Sequence, residues 1–170
     1  MQGKEKRYRI EALGRQHDRL VFSCGSDPLD QYLRTQAGQD ARKGVAAPFV
    51  LCEGESHAVL GYYTLSSFAV STTGLPEDLM RKLPRYPTTP ATLIGRLARD
   101  VGEPGMGGLL LADALKRILA SASEVASALV VVEAKDLSAV RFYQKFGFIL
   151  FQDCPRKLFL PMRAIAAAGK

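Results

Sequence analysis

The sequence is poor in the residues that build metal centres and covalent staples. Histidine occurs 2 times, and neither His17 nor His57 has a carboxylate or a second histidine at ligand spacing. No metal site is therefore expected, and each histidine reads as a surface or structural residue. The 3 cysteines, Cys24, Cys52 and Cys154, are odd in number, widely spaced and without a C-x-x-C pair. They read as reduced, buried thiols rather than a disulfide framework. No apolar run approaches the roughly 18 residues that a membrane span needs. The opening MQGKEKRYRIEALG carries charge with no apolar segment behind it, so no membrane association and a cytoplasmic location are expected. Two phosphate-binding fingerprints are also missing. No Lys-Ser/Thr pair follows the glycines and no G-x-G-x-x-G spacing occurs, which excludes a nucleoside-triphosphate loop and a dinucleotide motif.

What remains is an ordinary globular composition. The chain has 170 residues, 47% hydrophobic and 24% charged. That is enough for one domain with a sizeable core, placed at residues 1–163, with 164–170 as a frayed tail. The net charge of +6 fits a polyanionic partner such as nucleic acid, and fits plain solubility equally well.

The most informative stretch is Ala91 to Leu115, ATLIGRLARDVGEPGMGGLLLADAL. Thr92 to Ala98 suits a buried strand, and Leu111, Ala114, Leu115, Ile118 and Leu119 recur on one helical face. Between them lie Gly102, Gly105, Gly107 and Gly108. Glycines there turn backbone N–H groups toward a ligand, and the following helix adds its N-terminal donors, so a phosphate is a natural guest. The same pattern also serves as a tight connection with nothing bound.

Elsewhere the pattern reads as strands and short helices. Arg7 to Leu13 is a first strand. Asp27 as N-cap and Pro28 at the first position open a helix to about Gly38, with a further piece from Gln39 to Lys43. Ala46–Glu53 and Ala58–Val70 form a hairpin, and Pro76–Lys82 a short helix. Leu83 to Pro90 is too proline-rich to be regular. Ala128–Ala134 is a doubly covered strand, Leu137–Phe146 a helix with Ala139, Phe142 and Phe146 in one stripe and Gly147 as its stop. Phe148–Gln152 and Lys157–Met162 close the chain as strands. Arg34, Arg42 and Lys43 form one basic cluster, and Arg81, Lys82 and Arg85 a second. Both are either anion sites or solvated faces.

The segments GRLARD, PGMGG, ALVVVEA and AVRFYQKFGF together resemble the GNAT superfamily of acetyl-CoA-dependent N-acetyltransferases, over nearly the whole chain. FSCGSDPLDQYLRTQAGQDARKG, LGYYTLSS, LPRYPTTPATLIGRLARD and KLFLPM resemble, more narrowly, the GNAT toxins of bacterial toxin-antitoxin pairs. The resemblance implies an α/β (α+β) fold with a mixed sheet of about six or seven strands, splayed between the strands of Leu97 and Val131 to admit acetyl-CoA, and flanked by about four helices. It implies acetylation of the α-amino group of aminoacyl-tRNA, which blocks translation, neutralisation by a ribbon-helix-helix antitoxin, and a homodimer. It makes Tyr143 the catalytic residue, although by pattern alone Tyr143 is an ordinary helix aromatic. Leu97, Ala98, Arg99, Gly105, Met106, Gly107, Gly108 and Asp136 become cofactor contacts. Arg34, Arg42, Lys43, Arg81, Lys82, Arg85 and Arg96 become tRNA contacts, with Arg96 open to a structural role and Arg99 to a place at the cofactor phosphates.

The chemistry fits these residues. An α-amino group has a reference pKa of about 8, so part of it is already neutral near pH 7 and a strong base is dispensable, whereas the leaving thiolate benefits from a phenol donor. One departure stands out. The superfamily loop reads Gln/Arg-x-x-Gly-x-Gly, while here Pro104-Gly105-Met106-Gly107-Gly108 looks two residues short and Pro104 offers no N–H. Acetyl-CoA is expected to bind nonetheless. The alternatives are an acetyltransferase for a small amine or protein N-terminus, and a non-catalytic homologue.

Overall fold

The computed structural model describes residues 5–168. Seven strands form a mixed, mostly antiparallel sheet in the order β1-β2-β3-β4-β5-β7-β6. The chain divides into two compact units, one built up to Leu65 and from Arg96–Ala114, the other from Ser66–Gly95 and from Leu115 onward. Strands β3 (Gly61–Ser71) and β4 (Thr88–Arg99) and helix α4 (Met106–Ser121) each contribute residues to both.

In the first unit, β1 (Tyr8–Ala12) pairs antiparallel with β2 (Ala47–Glu53) from Tyr8↔Glu53 to Ala12↔Phe49, and β2 pairs antiparallel with β3. Helices α1 (Asp27–Thr35) and α2 (Ala37–Lys43) precede this hairpin. Phe22, Tyr32, Leu33, Val50, Tyr62 and Ala98 pack into its core, each large side chain contributing about 1.5–3 kcal/mol on burial. Ser26 is the N-cap and Asp27 the first helical residue, so the expected capping aspartate lies one position inside. There its negative charge faces the positive end of the helix dipole.

In the second unit β4 runs parallel to β5 (Leu129–Glu133), in register from Ala91↔Leu129 to Ile94↔Val132. Parallel neighbours require a crossover, which α4 supplies. Strand β7 (Lys157–Pro161) pairs antiparallel with β5 and with the two-residue β6 (Ile149–Leu150). Val70, Leu75, Leu129, Val131, Phe151 and Phe159 form this unit's core. Here too lie α3 (Glu77–Met80), α5 (Leu137–Lys145) and α6 (Met162–Ala168).

Several expectations need correction. Six α-helices occur among the described residues rather than about four; α3 falls within the short helix expected at Pro76–Lys82, while α6 was not expected as a helix. Thr88, Thr89 and Pro90 are strand, not loop. Thr89 is buried against Thr72, hydroxyl to hydroxyl at 2.9 Å, and the Pro90 carbonyl accepts from Ala128 N–H at 2.9 Å. On α5 the buried positions are Val140 and Tyr143, while Phe146 is exposed. Residues 164–168 are helical with Ile165 buried, not frayed; 169 and 170 lie outside the described residues. None of the three cysteines forms a disulfide; Cys52 is buried as expected, but Cys24 is half-buried and Cys154 exposed. No helix is long and apolar enough to cross a membrane among the described residues.

Candidate functional site

Two neighbourhoods carry the chemistry expected from the sequence, one in each unit. The first is the turn from β4 into α4. Helix α4 begins at Met106, so Gly107 and Gly108, expected in the turn, instead occupy the first helical turn. Their N–H groups need no intrahelical partner at that position. The turn itself is Asp100 to Gly105, and Gly105 sits at φ +85° with nothing within 4 Å of where a Cβ would stand. Glycine is required there by backbone conformation rather than by crowding.

Asp100 organises this turn. Its N–H donates to Leu60 O at 2.8 Å, and its carboxylate accepts from Ser23 N–H at 3.0 Å and from Gly102 N–H at 2.9 Å. Val101 N–H donates to Ser23 O at 2.9 Å, and Glu103 N–H to Asp100 O at 3.0 Å. The first half of α4 is seated equally firmly. A Cβ on Gly61 would come within 2.8 Å of Leu110 Cδ1 and 3.2 Å of Ala98 O, so a glycine in β3 is what lets the helix approach. The buried Tyr63 hydroxyl donates to Asp113 on that helix. Leu97 is half-buried, Ala98 buried and Arg99 exposed, all C-terminal to the last pair of the β4–β5 register.

The turn offers what a pyrophosphate needs. Gly107 and Gly108 present first-turn N–H donors with no side chain in the way, at the start of a 16-residue helix, whereas Met106 N–H donates to Glu103 O at 3.4 Å. Pro104 subtracts one donor from the loop.

The second neighbourhood surrounds Tyr143 on α5. Asp136 caps this helix, its carboxylate accepting from Ala139 N–H at 2.8 Å, which gives this predicted cofactor contact a structural task. The helix ends at Lys145 with Phe146 as its C-cap, followed by Gly147 at φ +92°, and Phe148 N–H donates to Tyr143 O at 3.2 Å. That reversal brings the Phe148 ring to 5.5 Å from the Tyr143 ring, with Phe142 at 5.2 Å on another side. Burial alone pushes the Tyr143 phenol up to about 12, so it stays protonated through the neutral range.

The expected basic residues differ in how they are held. Arg42 and Lys43 are exposed at the end of α2, and Arg81, Lys82 and Arg85 are exposed around α3 and the loop after it. Arg34 is half-buried and donates to Phe22 O at 2.9 Å. The Arg96 guanidinium lies 3.5 Å from the centre of the Tyr32 ring, a cation–π contact that gives Arg96 a packing role. No group of three or more metal-ligating side chains occurs among the described residues.

Sequence reasoning missed Asp100, Gly61 and the Tyr63–Asp113 pair. Gly61 left a signal, since a glycine inside a strand pattern marks close backbone approach. The other two depend on contacts between residues far apart in the chain.

No family model matches the chain. Among curated proteins it is 33% identical over 148 residues to a "tRNA-acetylating toxin" of Mycobacterium tuberculosis, covering 86% of this chain and 87% of that protein. It is 30% identical over 158 residues to a protein of Sinorhizobium fredii named "Probable toxin TacT", covering 88% and 87%. Among solved structures, AtaT complexed with acetyl-methionyl-tRNA superimposes with a TM-score of 0.89 at 30% identity, over 96% of this chain and 100% of that one. A tyrosine-to-phenylalanine mutant of AtaT, bound to acetyl-CoA and to the C-terminus of the antitoxin AtaR, gives a TM-score of 0.80 at 26% identity, over 96% and 98%. With the glycine turn, the seated α4 and the buried α5 tyrosine in place, and with relatives matching over most of both lengths, the chain belongs to the GNAT-fold acetyltransferase toxins.

Proposed function

We propose that the protein transfers the acetyl group of acetyl-CoA to the α-amino group of an aminoacyl-tRNA, with Tyr143 as the catalytic residue. The observation that carries this is the placement of the Tyr143 phenol, buried between the Phe142 and Phe148 rings on the helix that Asp136 caps. Acetyl-CoA supplies a thioester whose carbonyl the neutral amine attacks and whose thiolate leaves. The first-turn N–H groups of Gly107 and Gly108, with Gly105, Met106 and Arg99 around them, hold the pyrophosphate. Backbone N–H groups at Leu97 and Ala98 polarise the acetyl carbonyl, while Asp136 keeps α5 in place.

A phenol at about 12 is a weaker acid than a thiol with reference pKa of about 8.5. Tyr143 therefore acts as a relay. It stabilises the departing sulfur by hydrogen bonding and gives up its proton only as it receives the one shed by the amine. The exposed Arg42, Lys43, Arg81, Lys82 and Arg85 bind tRNA phosphates, and Arg34 and Arg96, fixed by Phe22 and Tyr32, add charge behind them. The partner is a ribbon-helix-helix antitoxin, the active form a homodimer, and the location the cytoplasm, where charged tRNA is found.

Incubation with labelled acetyl-CoA and a pool of charged tRNA tests this, with Tyr143→Phe in parallel. Label in the aminoacyl fraction, lost in the variant, supports the proposal; label on small amines alone refutes the substrate. Calorimetry addresses the shortened loop. Binding at millimolar acetyl-CoA is expected, and its absence would identify a non-catalytic homologue.

A further inference from the structure

The second unit contains a cavity of about 620 Å³ that the acetyl-transfer chemistry leaves unused, beside α3 and the loop that follows it. This lies within the roughly 300–1,000 Å³ of small-ligand sites. Its apolar surface comes from Met80 and Leu83, and its polar surface includes Glu77, Arg81 and Arg85. Tyr86, also in the lining, is 69% exposed, an aromatic ring that the fold places in water rather than in a core.

The loop is built to hold this shape. Pro84 and Pro87 fix φ on either side of Arg85 and Tyr86. Tyr86 N–H donates to Pro84 O at 2.9 Å, and Thr72 N–H to Pro87 O at 3.1 Å. Beneath it the buried Thr72 and Thr89 hydroxyls bond at 2.9 Å. A ligand here meets a preformed surface and spares the ordering cost that a flexible loop would impose.

We propose that this cavity docks one unpaired, amino-bearing nucleotide of an RNA strand, with its base stacked on Tyr86. The inference rests on the reading of the protein as an enzyme acting on tRNA, and adds a subsite to it. An exposed aromatic ring is the platform that single-stranded bases use, and a base inside a duplex cannot reach it. The guanidinium groups of Arg81 and Arg85 match the planar, forked geometry that phosphate oxygens accept. Glu77 decides which nucleotide. A carboxylate accepts from the exocyclic amines of cytosine and adenine and from the amine and ring N–H of guanine, whereas uracil offers only its single ring N–H. An acidic peptide, the other ligand that two arginines would attract, brings no planar base to stack on Tyr86. Glu77 and Arg81 pair at 3.7 Å with side chains 80% and 76% exposed, so each remains free to turn toward a ligand.

Fluorescence anisotropy on the full chain tests this with three probes: a labelled RNA tetranucleotide of cytidine and adenosine, a tetranucleotide of uridine, and an acidic hexapeptide. The cytidine–adenosine probe is expected to bind most tightly. Tyr86→Ala weakens it tenfold or more while Tyr86→Phe does not, Glu77→Gln removes the preference over uridine, and Arg85→Gln lowers the salt slope by about one. Tyr86 is exposed, so an unchanged thermal midpoint shows that Tyr86→Ala is folded. Equal RNA binding by Tyr86→Ala, or binding of the peptide in preference to RNA, overturns the inference. The KM for charged tRNA is measured alongside. Wild-type acetylation with an unaltered KM in Tyr86→Ala sinks the subsite but leaves the enzymatic reading intact. Oligonucleotide binding without any wild-type acetylation sinks that reading instead.

Discussion

Tyr143 on α5 and Tyr32 on α1 are both buried phenols, and both are pushed up to about 12. Their surroundings have little else in common. Tyr32 donates its hydroxyl proton to Asp40 at 2.7 Å, lies under the Arg96 guanidinium, and stacks on Tyr62, whose own hydroxyl donates to Leu29 O at 2.7 Å. Its shift comes first from burial and then from the hydrogen bond to Asp40. Tyr143 is raised by burial alone, with phenylalanine rings as neighbours. A hydroxyl committed to a carboxylate holds two helices together and has no proton to lend. One raised only by loss of water has no such commitment, and under the proposed function it serves the substrate. On that proposal the two regions divide structure from chemistry, although acidity alone would not distinguish them.

The largest effect that sharpens this contrast is on turnover. Tyr143→Phe is expected to lower kcat by about 10²–10⁴, with the urea midpoint nearly unchanged, as steady-state kinetics and denaturation will show. Retained turnover with a lowered midpoint would make Tyr143 another structural phenol. Both regions share the next effect. Each phenol has a folded pKa above its unfolded value near 10, so its contribution to stability is complete below pH 10 and is lost as pH rises through about 12. For Tyr143 that loss amounts to about 2–3 kcal/mol at full ionisation. Chemical denaturation between pH 9 and 12 should show the decline, shallower in Tyr143→Phe than in wild type.

Tyr32→Phe is expected to reverse the first result. It removes the bond to Asp40 and lowers stability by about 1 kcal/mol, with kcat preserved. Smaller still is Arg96→Gln, which loses a cation–π contact of about 0.5–1 kcal/mol. If Arg96 mainly packs on Tyr32, the salt slope of tRNA binding will change less in this variant than in Arg42→Gln. An equal change would place Arg96 among the direct phosphate contacts.

Much of the second unit is legible in the linear order of residues. The run Leu129–Glu133 and the stop at Gly147 are local signals, and the elements formed where hydrophobic period and glycine placement put them. The glycine turn was legible in composition but not in register. Whether Gly107 belongs to loop or helix depends on where α4 can seat, and Gly61 and Leu110 settle that across the fold. The same holds for α5. The sequence shows Phe142, Tyr143 and Phe146 close together, while burial selects Tyr143 and leaves Phe146 exposed.

By itself the sequence determined the succession of elements, the absence of disulfide or metal patterning, and the presence of a glycine turn and an aromatic helix. These follow from dihedral preferences and periodicity, which act over a few residues. Only the tertiary structure decided that Asp100 ties the glycine turn to Ser23, that Arg96 lies on Tyr32, and that Tyr143 is raised by burial alone while Tyr32 is bonded to Asp40. Desolvation and long-range hydrogen bonding depend on what the folded chain brings near, and no local pattern encodes that.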